Sequence, residues 1–394
     1  MNSAGARPKT ADILVLGAGV IGSSIAFHLA RRKAGRIVVL DKGLVGQGGS
    51  GRSSALIRMH YSFPPEVRLA VKSLEYFQHW QEIVGRPGDF RKTGFVRLVP
   101  ESEIERLRAN VAMQRANGAN ARVVTAGELK EIEPDWSVDD VSAAAYEPDS
   151  GYGDGASVAS DFLAAARELG VVYLPETRVT AFRAQAGRVQ GAATDKGDIE
   201  SPLVVAAIGP WSRPLFREAG VDLPLETEYH QVAILKNPAG MKSDGCACID
   251  SILNVYFRSE GRDMTLVGAF YGPRGVDPDD FEQAASDESL AEMAVGASRR
   301  IPALEEGGVV RGITGVYDMS PDARPLLGEV PGIRGLHVAA GFSGMGFKIS
   351  PAVGLAMSEL VLDGRGATID IGDFRPGRFA EGRPIKAEYE YEDD

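Results

Sequence analysis

Cysteine and long apolar runs are scarce in this chain of 394 residues, and each scarcity excludes a class of protein. Cys246 and Cys248 cannot build a disulfide framework, and their spacing is not that of a Cys-x-x-Cys motif. No stretch approaches about 18 consecutive apolar residues, so no membrane span is expected. Residues 1–10 lack the apolar core of a signal peptide. We therefore expect a soluble, cytoplasmic protein.

Positive charge is also in short supply. The chain has 43 lysines and arginines against 54 aspartates and glutamates, a net charge of −11, and it has no basic tract. Because affinity for nucleic acid comes mostly from neutralising phosphates, a nucleic-acid partner is not expected. Only five histidines are present, no metal-ligand cluster is evident, and no metal site is predicted.

Glycine, by contrast, is abundant, with 47 residues where roughly 7% of an average chain, or about 28, would be typical. Three of these glycines stand in an informative context. An apolar run over residues 11–16 precedes the motif Gly17-x-Gly19-x-x-Gly22, and a helical pattern then leads to a second apolar run over 36–40. This strand–turn–helix–strand order predicts a βαβ unit with a dinucleotide site at its turn.

Each residue type at this turn has a physical reason. Gly17 permits the tight turn, Gly19 lets the backbone approach a diphosphate, and Gly22 lets the helix pack on the strand. The diphosphate would lie on N–H groups at the helix N-terminus, and Asp41, at the end of the second run, would accept hydrogen bonds from ribose hydroxyls. The predicted dinucleotide-binding residues here are Gly17, Gly19, Val20, Gly22, Asp41 and Lys42.

A second glycine loop follows directly after this unit. Its backbone N–H groups, hydroxyls and one cation suit a second cradle along an extended FAD diphosphate. A flexible surface linker is the alternative, given the glycine and serine content. Arg52, followed closely by the apolar residues 55–57, favours the cradle. The residues predicted to form it are Gly49, Ser50, Arg52, Ser53 and Ser54.

Periodicity predicts several other elements. Residues 66–84 read as one amphipathic helix, and residues 279–297 as a polar, acidic helix. A helix over 351–362 is expected to carry Pro351 in its first turn. The acidic tail, 388–394, is expected to be frayed.

Four motifs together resemble the FAD-dependent D-amino-acid oxidase superfamily. Within it the chain is similar to the sarcosine oxidase branch, including the flavin-bearing subunits of multi-subunit sarcosine oxidases. The likeness covers nearly the whole chain. The motifs are Gly17-Ala-Gly-Val-Ile-Gly-Ser-Ser-Ile-Ala26, Gly49-Ser-Gly-Arg-Ser-Ser54, Ile57-Arg-Met-His-Tyr61, and Ser320-Pro-Asp-Ala-Arg-Pro-Leu-Leu-Gly328 with Gly341-Phe-Ser-Gly-Met-Gly-Phe-Lys348.

The resemblance implies an α/β fold, α+β overall, in which a Rossmann-like FAD-binding domain carries an inserted, mostly antiparallel β-sheet substrate domain. The FAD-binding domain would be discontinuous. The expected boundaries are 1–88, 146–222 and 311–380 for the FAD-binding domain, 89–145 and 223–310 for the substrate domain, and 381–394 for the acidic tail.

The resemblance also implies further cofactor contacts. Val179 would bond the adenine through its backbone, Gly209 would lie beside the diphosphate, and Trp211 and Arg324 would belong to the cofactor site. The last motif would face the flavin pyrimidine ring through Gly341, Ser343, Gly344, Met345, Gly346, Phe347 and Lys348. A glycine-rich helix N-terminus followed by a lysine is suited to the negative charge that a reduced flavin carries near N1 and C2=O.

For the substrate, the resemblance implies a carboxylate held by cations above the flavin. Arg58 and Lys348 match those positions, and Tyr317 matches a neighbouring one; the alternatives are a surface arginine and a solvated lysine. His60 and His230 lie near the expected flavin elements and are catalytic candidates, although a lone histidine is more often a structural hydrogen-bonding group.

Two departures from the family pattern matter. Gly315 stands near the position where monomeric sarcosine oxidases attach flavin through a cysteine, so we predict non-covalent FAD. Thr265 is assigned to the position where those oxidases use a lysine to activate oxygen. A cation near the flavin favours superoxide electrostatically, so the acceptor is left open between dioxygen and another electron acceptor.

The implied reaction is the oxidation of a small amino acid or N-methyl amino acid. A hydride leaves the carbon next to nitrogen for flavin N5, and water hydrolyses the resulting imine. One alternative is a 2-hydroxy-acid or glycerol-phosphate dehydrogenase of the same superfamily, which would need His60 or His230 as a base. Another is a flavin subunit in a hetero-oligomer, and a homo-oligomer is also possible. A binding module with a vestigial site is disfavoured because both glycine cradles and the C-terminal loop are present.

Overall fold

The computed structural model describes residues 7–241 and 244–391. In chain order the strands are β1 (Ile13–Leu16), β2 (Ile37–Leu40), β3 (Leu56–Ile57), β4 (Arg91–Lys92), β5 (Phe95–Leu98), β6 (Arg122–Thr125), β7 (Ala143–Glu147), β8 (Gly151–Tyr152), β9 (Val172–Leu174), β10 (Val179–Gln185), β11 (Arg188–Thr194), β12 (Ile199–Glu200), β13 (Val204–Ala206), β14 (Glu226–Lys236), β15 (Ala247–Asp250), β16 (Val255–Glu260), β17 (Met264–Ala269), β18 (Gly308–Met319), β19 (Leu326–Glu329) and β20 (Leu336–Ala340). The α-helices are α1 (Val20–Arg31), α2 (Pro64–Gln78), α3 (Trp80–Val84), α4 (Ile104–Ala116), α5 (Ala126–Ile132), α6 (Gly155–Glu168), α7 (Ser212–Glu218), α8 (Asp287–Arg300) and α9 (Gly346–Asp363).

A six-stranded sheet in the order β19-β20-β13-β1-β2-β9 forms the cofactor side of the molecule. All its neighbours pair in parallel except β19 and β20. Its strands β1, β2 and β13 are short, fully apolar runs because both faces of the sheet are covered there. Helices α1, α6 and α9 pack on one face, and the β10–β12 sheet with α7 packs on the other. Strands from the beginning, middle and end of the chain therefore meet in one sheet.

An eight-stranded sheet in the order β18-β14-β17-β16-β15-β5-β7-β6 lies beside it. Every pairing in it is antiparallel except that of β15 with β5. One face packs on α8 and Trp136, while the other buries Leu56, Tyr256 and Leu266. The long pair of β14 and β18 places Glu228 opposite Tyr317 and His230 opposite Gly315. The fold class expected from the sequence, a Rossmann-like unit with an inserted, mostly antiparallel sheet, is confirmed.

Some predicted elements differ from the structure. The single helix over 66–84 is two helices, α2 and α3, because the backbone of His79 leaves the helical region with φ −119°. The acidic helix starts at Asp287 rather than 279, where Ser286 caps the first turn by accepting from the Ser289 N–H. Residues 279–286 are instead a loop that reaches the cofactor side.

Helix α9 begins at Gly346, five residues before the predicted start, and carries Pro351 in its interior. A proline there leaves the carbonyl of the residue four positions earlier without its usual donor. That carbonyl belongs to Phe347, and the Ser350 hydroxyl donates to it at 2.8 Å. The helix therefore continues through the proline.

The predicted frayed tail is also different. Tyr391 is buried, with 4% of its surface exposed, and the Asn110 side chain donates to the Tyr389 carbonyl at 2.8 Å. Residues 385–391 thus lie on the fold, and residues 392–394 of the predicted tail are outside the described part of the chain. No helix of the described residues is both long and apolar enough to span a membrane.

Candidate active site and cofactor cleft

The first glycine turn has no space for a side chain at two of its glycines. Gly17 has φ +97°, and a Cβ atom there would lie 2.2 Å from the Ala207 carbonyl oxygen. A Cβ atom on Gly22 would lie 1.9 Å from the Gly17 carbonyl oxygen. Atoms cannot approach so closely, so glycine is required at both positions. The turn keeps the backbone bare where a diphosphate would approach, which is the first observation that fits a bound dinucleotide.

Asp41 and Ser50 fix the start of helix α1. The Asp41 carboxylate accepts from Ala18 N at 2.7 Å and from Gly43 N at 2.8 Å. The Ser50 hydroxyl accepts from Val20 N at 3.0 Å. Each Asp41 oxygen retains a second lone pair for a ribose hydroxyl. The first turn of α1 contains no acidic residue, so its positive dipole end is not neutralised by its own sequence.

The second glycine loop is a 3₁₀ turn over Gly49–Arg52. Arg52 donates to the Thr314 carbonyl at 2.9 Å and to the Gln283 side chain at 3.1 Å. This arginine therefore links the loop both to β18 and to the 279–286 loop. Ser53 accepts from Ala55 N at 3.0 Å, and the Ser54 carbonyl accepts from Arg258. The predicted second cradle is consequently held in place from the eight-stranded sheet.

The Asp279 carboxylate contacts the side chains of three residues. It pairs with Lys42, lies 3.2 Å from the Arg178 guanidinium, and accepts from the Trp211 indole at 3.1 Å. The Lys42 ammonium also lies 3.6 Å from the centre of a Trp211 ring. Although Asp279 favours its charged form, burial lowers the pKa of Lys42 below its ordinary value. The sequence carried no signal for Asp279, because it is separated from its partners by 68 to 237 residues.

Two more residues that are predicted to bind the cofactor are close in sequence to Arg178 and Trp211 of this cluster. Val179 begins β10 opposite Thr194, directly after Arg178. Gly209 has φ +55° and begins the 3₁₀ turn that ends at Trp211. Their direct contacts with adenine and diphosphate remain predictions.

We expect the Asp279→Asn variant to release FAD about three- to tenfold faster than the wild type, because the loop then loses its ion pairs with Lys42 and Arg178. Stopped-flow dilution into a trapping apoflavoprotein measures the rate. The Asp280→Asn variant makes the same change of net charge at the neighbouring exposed position and is the control. Equal release rates in the two variants would contradict the prediction.

The C-terminal glycine loop is held by β18. Asp318 accepts from Gly341 N at 2.6 Å through its carboxylate and from Ser343 N at 2.9 Å through its carbonyl. Burial raises the pKa of the Asp318 carboxyl to about 6. Gly344 has φ +83°, and a Cβ atom there would lie 2.9 Å from the Tyr317 ring. Glycine at this position therefore lets the loop lie directly on the Tyr317 ring.

Helix α9 starts at the end of this loop. Met345 is its N-cap and Gly346 its first residue, and no acidic side chain stands in its first turn. Phe347 packs on Phe77, with ring centres 5.6 Å apart. Lys348 follows in the same turn and is buried, with 7% of its surface exposed. The positive end of a helix and a lysine thus lie together, an arrangement that stabilises an anion.

Lys348 and Arg58 form the predicted carboxylate clamp. The Lys348 ammonium donates to the Gly344 carbonyl at 3.1 Å. Burial, together with the nearby charge of Arg58, lowers the pKa of Lys348 well below its ordinary value. Arg58 lies with its guanidinium carbon 4.4 Å from the centre of the Tyr61 ring and donates to the His60 carbonyl. Two cations of which one is desolvated and lowered in pKa by the charge of the other would be stabilised by an anion between them.

Glu147 supports the Arg58 segment, and sequence reasoning missed it. Its carboxyl oxygen accepts from Met59 N at 2.8 Å and from the Ser150 hydroxyl at 2.6 Å. Burial raises the pKa of Glu147 to about 7, although these hydrogen bonds and the charge of Arg58 act in the opposite direction. The folded chain therefore retains a proton that the unfolded chain loses at lower pH.

Because of this shift, Glu147 stabilises the native state below about pH 4.5, and the contribution is lost as the pH rises to about 7. We expect the free energy of unfolding of Glu147→Gln, relative to wild type, to rise by about 2 to 3 kcal/mol between those pH values. Urea titrations at the two pH values measure it. Glu105→Gln, at a position with a 90% exposed side chain, is the control. A difference independent of pH would show that the buried carboxyl is not protonated in the native state.

Tyr317 and His230 meet at the junction of β14 and β18. Their rings are stacked with centres 3.9 Å apart. His230 Nε2 lies 2.9 Å from Glu228, which is also 2.8 Å from Arg274. Burial acts to raise the pKa of Glu228, but His230 and Arg274 together bring it below its ordinary value. The predicted His230 is thus part of a chain of polar side chains that leads through Glu228 to the exposed Arg274.

Tyr256 is a further residue that the sequence did not point out. Its hydroxyl is buried and has no hydrogen-bond partner of good geometry among the described residues. Burial and the neighbouring Tyr317 hydroxyl raise the pKa of Tyr256 well above its ordinary value. An orphaned buried hydroxyl beside Tyr317 is a second observation that fits a bound ligand in the cleft.

Three residues named from the sequence have partners outside the two glycine loops. The recorded partners of Arg324 are Ser62, Glu66, Glu390 and the Asp322 carbonyl rather than the glycine cradle. Thr265 donates to Asn237 at 2.7 Å on the far face of the eight-stranded sheet. Because side chains alternate along a strand, Leu266 shares the Tyr256 face instead.

His60 is the third of these. It is buried, its Nε2 atom lies 2.8 Å from the Tyr391 hydroxyl, and the two rings are stacked. Burial, followed by the charges of Arg97 and Arg58, lowers the pKa of His60 well below its ordinary value. A neutral imidazole bonded in this way acts more readily as a positioning group than as a base.

A βαβ glycine turn, a second loop beside it and a helix N-terminus from the end of the chain define a flavin-dinucleotide-dependent oxidoreductase. The family described as FAD dependent oxidoreductase matches residues 12–360. The chain belongs to this family, and its cofactor is FAD.

Similar proteins agree with this membership. The chain is 26% identical to sarcosine oxidase subunit beta of Arthrobacter sp over 390 residues, which cover 96% of this chain and 93% of that protein. It is 25% identical to mitochondrial sarcosine dehydrogenase of Mus musculus over 377 residues, or 91% of this chain, and spans only 40% of that protein's length. The solved structure of L-proline dehydrogenase from P. horikoshii superposes with a TM-score of 0.89 at 28% identity, covering 96% of this chain and all of that one.

Proposed function

We propose that this chain oxidises a small amino acid or N-methyl amino acid at the carbon next to nitrogen, with Arg58 and Lys348 holding the carboxylate. The observation that carries the proposal is the buried Lys348 at the start of α9, which donates to the Gly344 carbonyl and whose pKa is lowered by burial and by the charge of Arg58. The relatives support the substrate class, because their names are those of sarcosine and L-proline enzymes.

Arg58 and Lys348 are suited to bind the substrate carboxylate and to orient the substrate. A carboxylate placed between the two cations would favour the charged form of Lys348, because its negative charge offsets the effect of burial on the pKa. FAD, when bound, supplies a two-electron acceptor for the hydride. Arg58 and Lys348 supply the geometry that brings the substrate carbon towards it, and orientation of this kind accounts for much of a barrier reduction.

The aromatic residues beside the clamp would shape the rest of the site. Tyr317 and Tyr256 present two hydroxyls, and His230 with Glu228 offers a path for the amine proton. A neutral amine needs no further base, whereas a hydroxy acid does. Flavin bleaching by an amine panel, compared with a 2-hydroxy-acid panel, separates the proposed reaction from the hydroxy-acid alternative.

We propose that the FAD is bound without a covalent link. Gly315 has no nucleophile, its position lies beside Arg52, and both Cys246 and Cys248 are buried in the core of the eight-stranded sheet. Acid precipitation of the yellow protein is expected to release all of the flavin into the supernatant. Colour that stays in the pellet would contradict this prediction.

A second candidate function is that of a flavin-bearing subunit within a hetero-oligomer. It is favoured by the similarity to a subunit beta over 93% of that subunit's length. Size-exclusion chromatography of the isolated chain, combined with an activity assay using dioxygen and an artificial acceptor, tests it. Turnover by the isolated chain supports an independent enzyme, and turnover only after addition of a partner supports the subunit.

A further inference from the structure

The segment 385–391 packs on the folded chain next to the loop that carries Arg58. Ile385 N donates to the Asp322 carboxylate at 2.9 Å, and Asp322 is itself held by Arg378 at 2.7 Å. At the other end, the Asn110 side chain donates to the Tyr389 carbonyl at 2.8 Å. The segment is therefore anchored at both ends, to the C-terminal part of the cofactor unit and to helix α4.

Glu390 reaches the residues that follow Arg58. It pairs with Arg324, a buried arginine that also donates to the Ser62 hydroxyl at 3.2 Å and lies 3.4 Å from Glu66. Ser62 lies four residues after Arg58 and Glu66 lies in the first turn of α2. Through one guanidinium, the segment thus fixes the end of the loop on which Arg58 stands.

Tyr391 contacts the same loop through the side chain of His60. Its ring stacks on His60 with an interplanar angle of 18°, and its hydroxyl lies 2.8 Å from His60 Nε2. The Arg97 guanidinium carbon lies 4.8 Å from the centre of the Tyr391 ring. The His60 carbonyl in turn accepts from Arg58. A continuous path of contacts runs from Tyr391 through His60 to the proposed carboxylate clamp.

We propose that residues 385–391 are a positioning segment for Arg58, with Tyr391 acting through His60. The inference rests on the proposed function, because it assigns the segment a role in carboxylate binding. Tyr391 touches neither substrate nor cofactor in this account. It holds the His60 backbone at the point where the Arg58 guanidinium is anchored, and so sets how well Arg58 meets the carboxylate.

The test compares Tyr391→Phe with Tyr389→Phe. The first substitution removes the hydroxyl that bonds His60 and keeps the stacked ring. The second removes a hydroxyl two residues away, whose residue contributes only its carbonyl to the anchor. Binding is measured anaerobically from the flavin absorbance, with the unreactive carboxylates methoxyacetate and pyrrole-2-carboxylate as probes. Carbethoxylation of His60, followed by mass spectrometry, reports the contact independently of activity.

For Tyr391→Phe we expect the probe dissociation constant and KM to rise about three- to tenfold while kcat stays within about twofold, since one hydrogen bond in the path is lost. His60 should react faster with diethyl pyrocarbonate, and Tm should match that of Tyr389→Phe. Faster His60 modification with unchanged probe affinity would overturn the positioning role. Unchanged modification would overturn the contact itself.

If the proposed function itself is wrong, the binding and bleaching experiments give a different result. In that case the wild type would bind neither carboxylate and no amino acid would bleach its flavin. Both the carboxylate clamp and the role of the segment would then be wrong. If instead the wild type binds the probes and the Tyr391→Phe variant binds them with equal affinity, only the role of the segment is wrong.

Discussion

Replacing Arg58 by methionine is expected to lower kcat/KM for the amino-acid substrate by about two to three orders of magnitude. Loss of one partner from a desolvated ionic contact costs about 2 to 5 kcal/mol, and each 1.36 kcal/mol is about tenfold in rate. Lys348 remains in the variant, and burial still lowers its pKa, so a single desolvated cation is left to hold the carboxylate. Steady-state kinetics and probe titration measure the loss.

Two companion variants sharpen this experiment. Arg58→Lys keeps the charge but loses the planar fork, so it should restore only part of the activity. Arg68→Met changes an exposed arginine on α2 whose recorded partner is Asn117, and it should behave as wild type. If the Arg58→Met variant keeps kcat/KM within about threefold of the wild-type value, Arg58 does not hold the substrate carboxylate.

The Gly22→Ala variant is expected to lose FAD. Its Cβ atom would be forced to within 1.9 Å of the Gly17 carbonyl, which is backbone and cannot swing away. We expect the free energy of unfolding of the apoprotein to fall by about 3 kcal/mol. The FAD dissociation constant should rise at least about a hundredfold, because the diphosphate turn must shift.

Gly308→Ala is the matched control for this substitution. Gly308 begins β18, its built Cβ meets nothing within 4 Å, and its φ lies outside the left-handed region. It should keep both its yellow colour and its stability. Full FAD content in purified Gly22→Ala would mean that the cofactor does not lie on this turn.

The parts of the fold that a single stretch of sequence encodes were predictable. The βαβ unit at Gly17 is visible because two buried parallel strands read as apolar runs and the turn needs glycine for steric reasons. The FAD cofactor and the family followed from four such local motifs, and both are confirmed.

Contacts between distant stretches were not predictable. Asp279 meets Lys42 across 237 residues, and Tyr391 meets His60 across 331. No local periodicity marks such pairs, because the fold alone brings them together. Helix α9 was placed too late for a related reason: Pro351 reads as a helix start, and only the Ser350 hydroxyl bonded to Phe347 shows how the helix passes through it.

The domain boundaries and the roles of individual site residues stay predictions. The strands of the two large sheets alternate along the chain, and β18 of the eight-stranded sheet crosses the predicted boundary between residues 310 and 311. The clamp residues Arg58 and Lys348 are near enough for the charge of one to lower the pKa of the other. The variants described above test those roles.

Anaerobic titration of the purified yellow protein with amino acids and N-methyl amino acids tests the central claim most directly. The account predicts that one of them bleaches the long-wavelength flavin absorbance, with one equivalent consumed per FAD, and that 2-hydroxy acids leave it unchanged. A protein that takes up no FAD, or whose flavin is reduced by a hydroxy acid and by no amine, would contradict it.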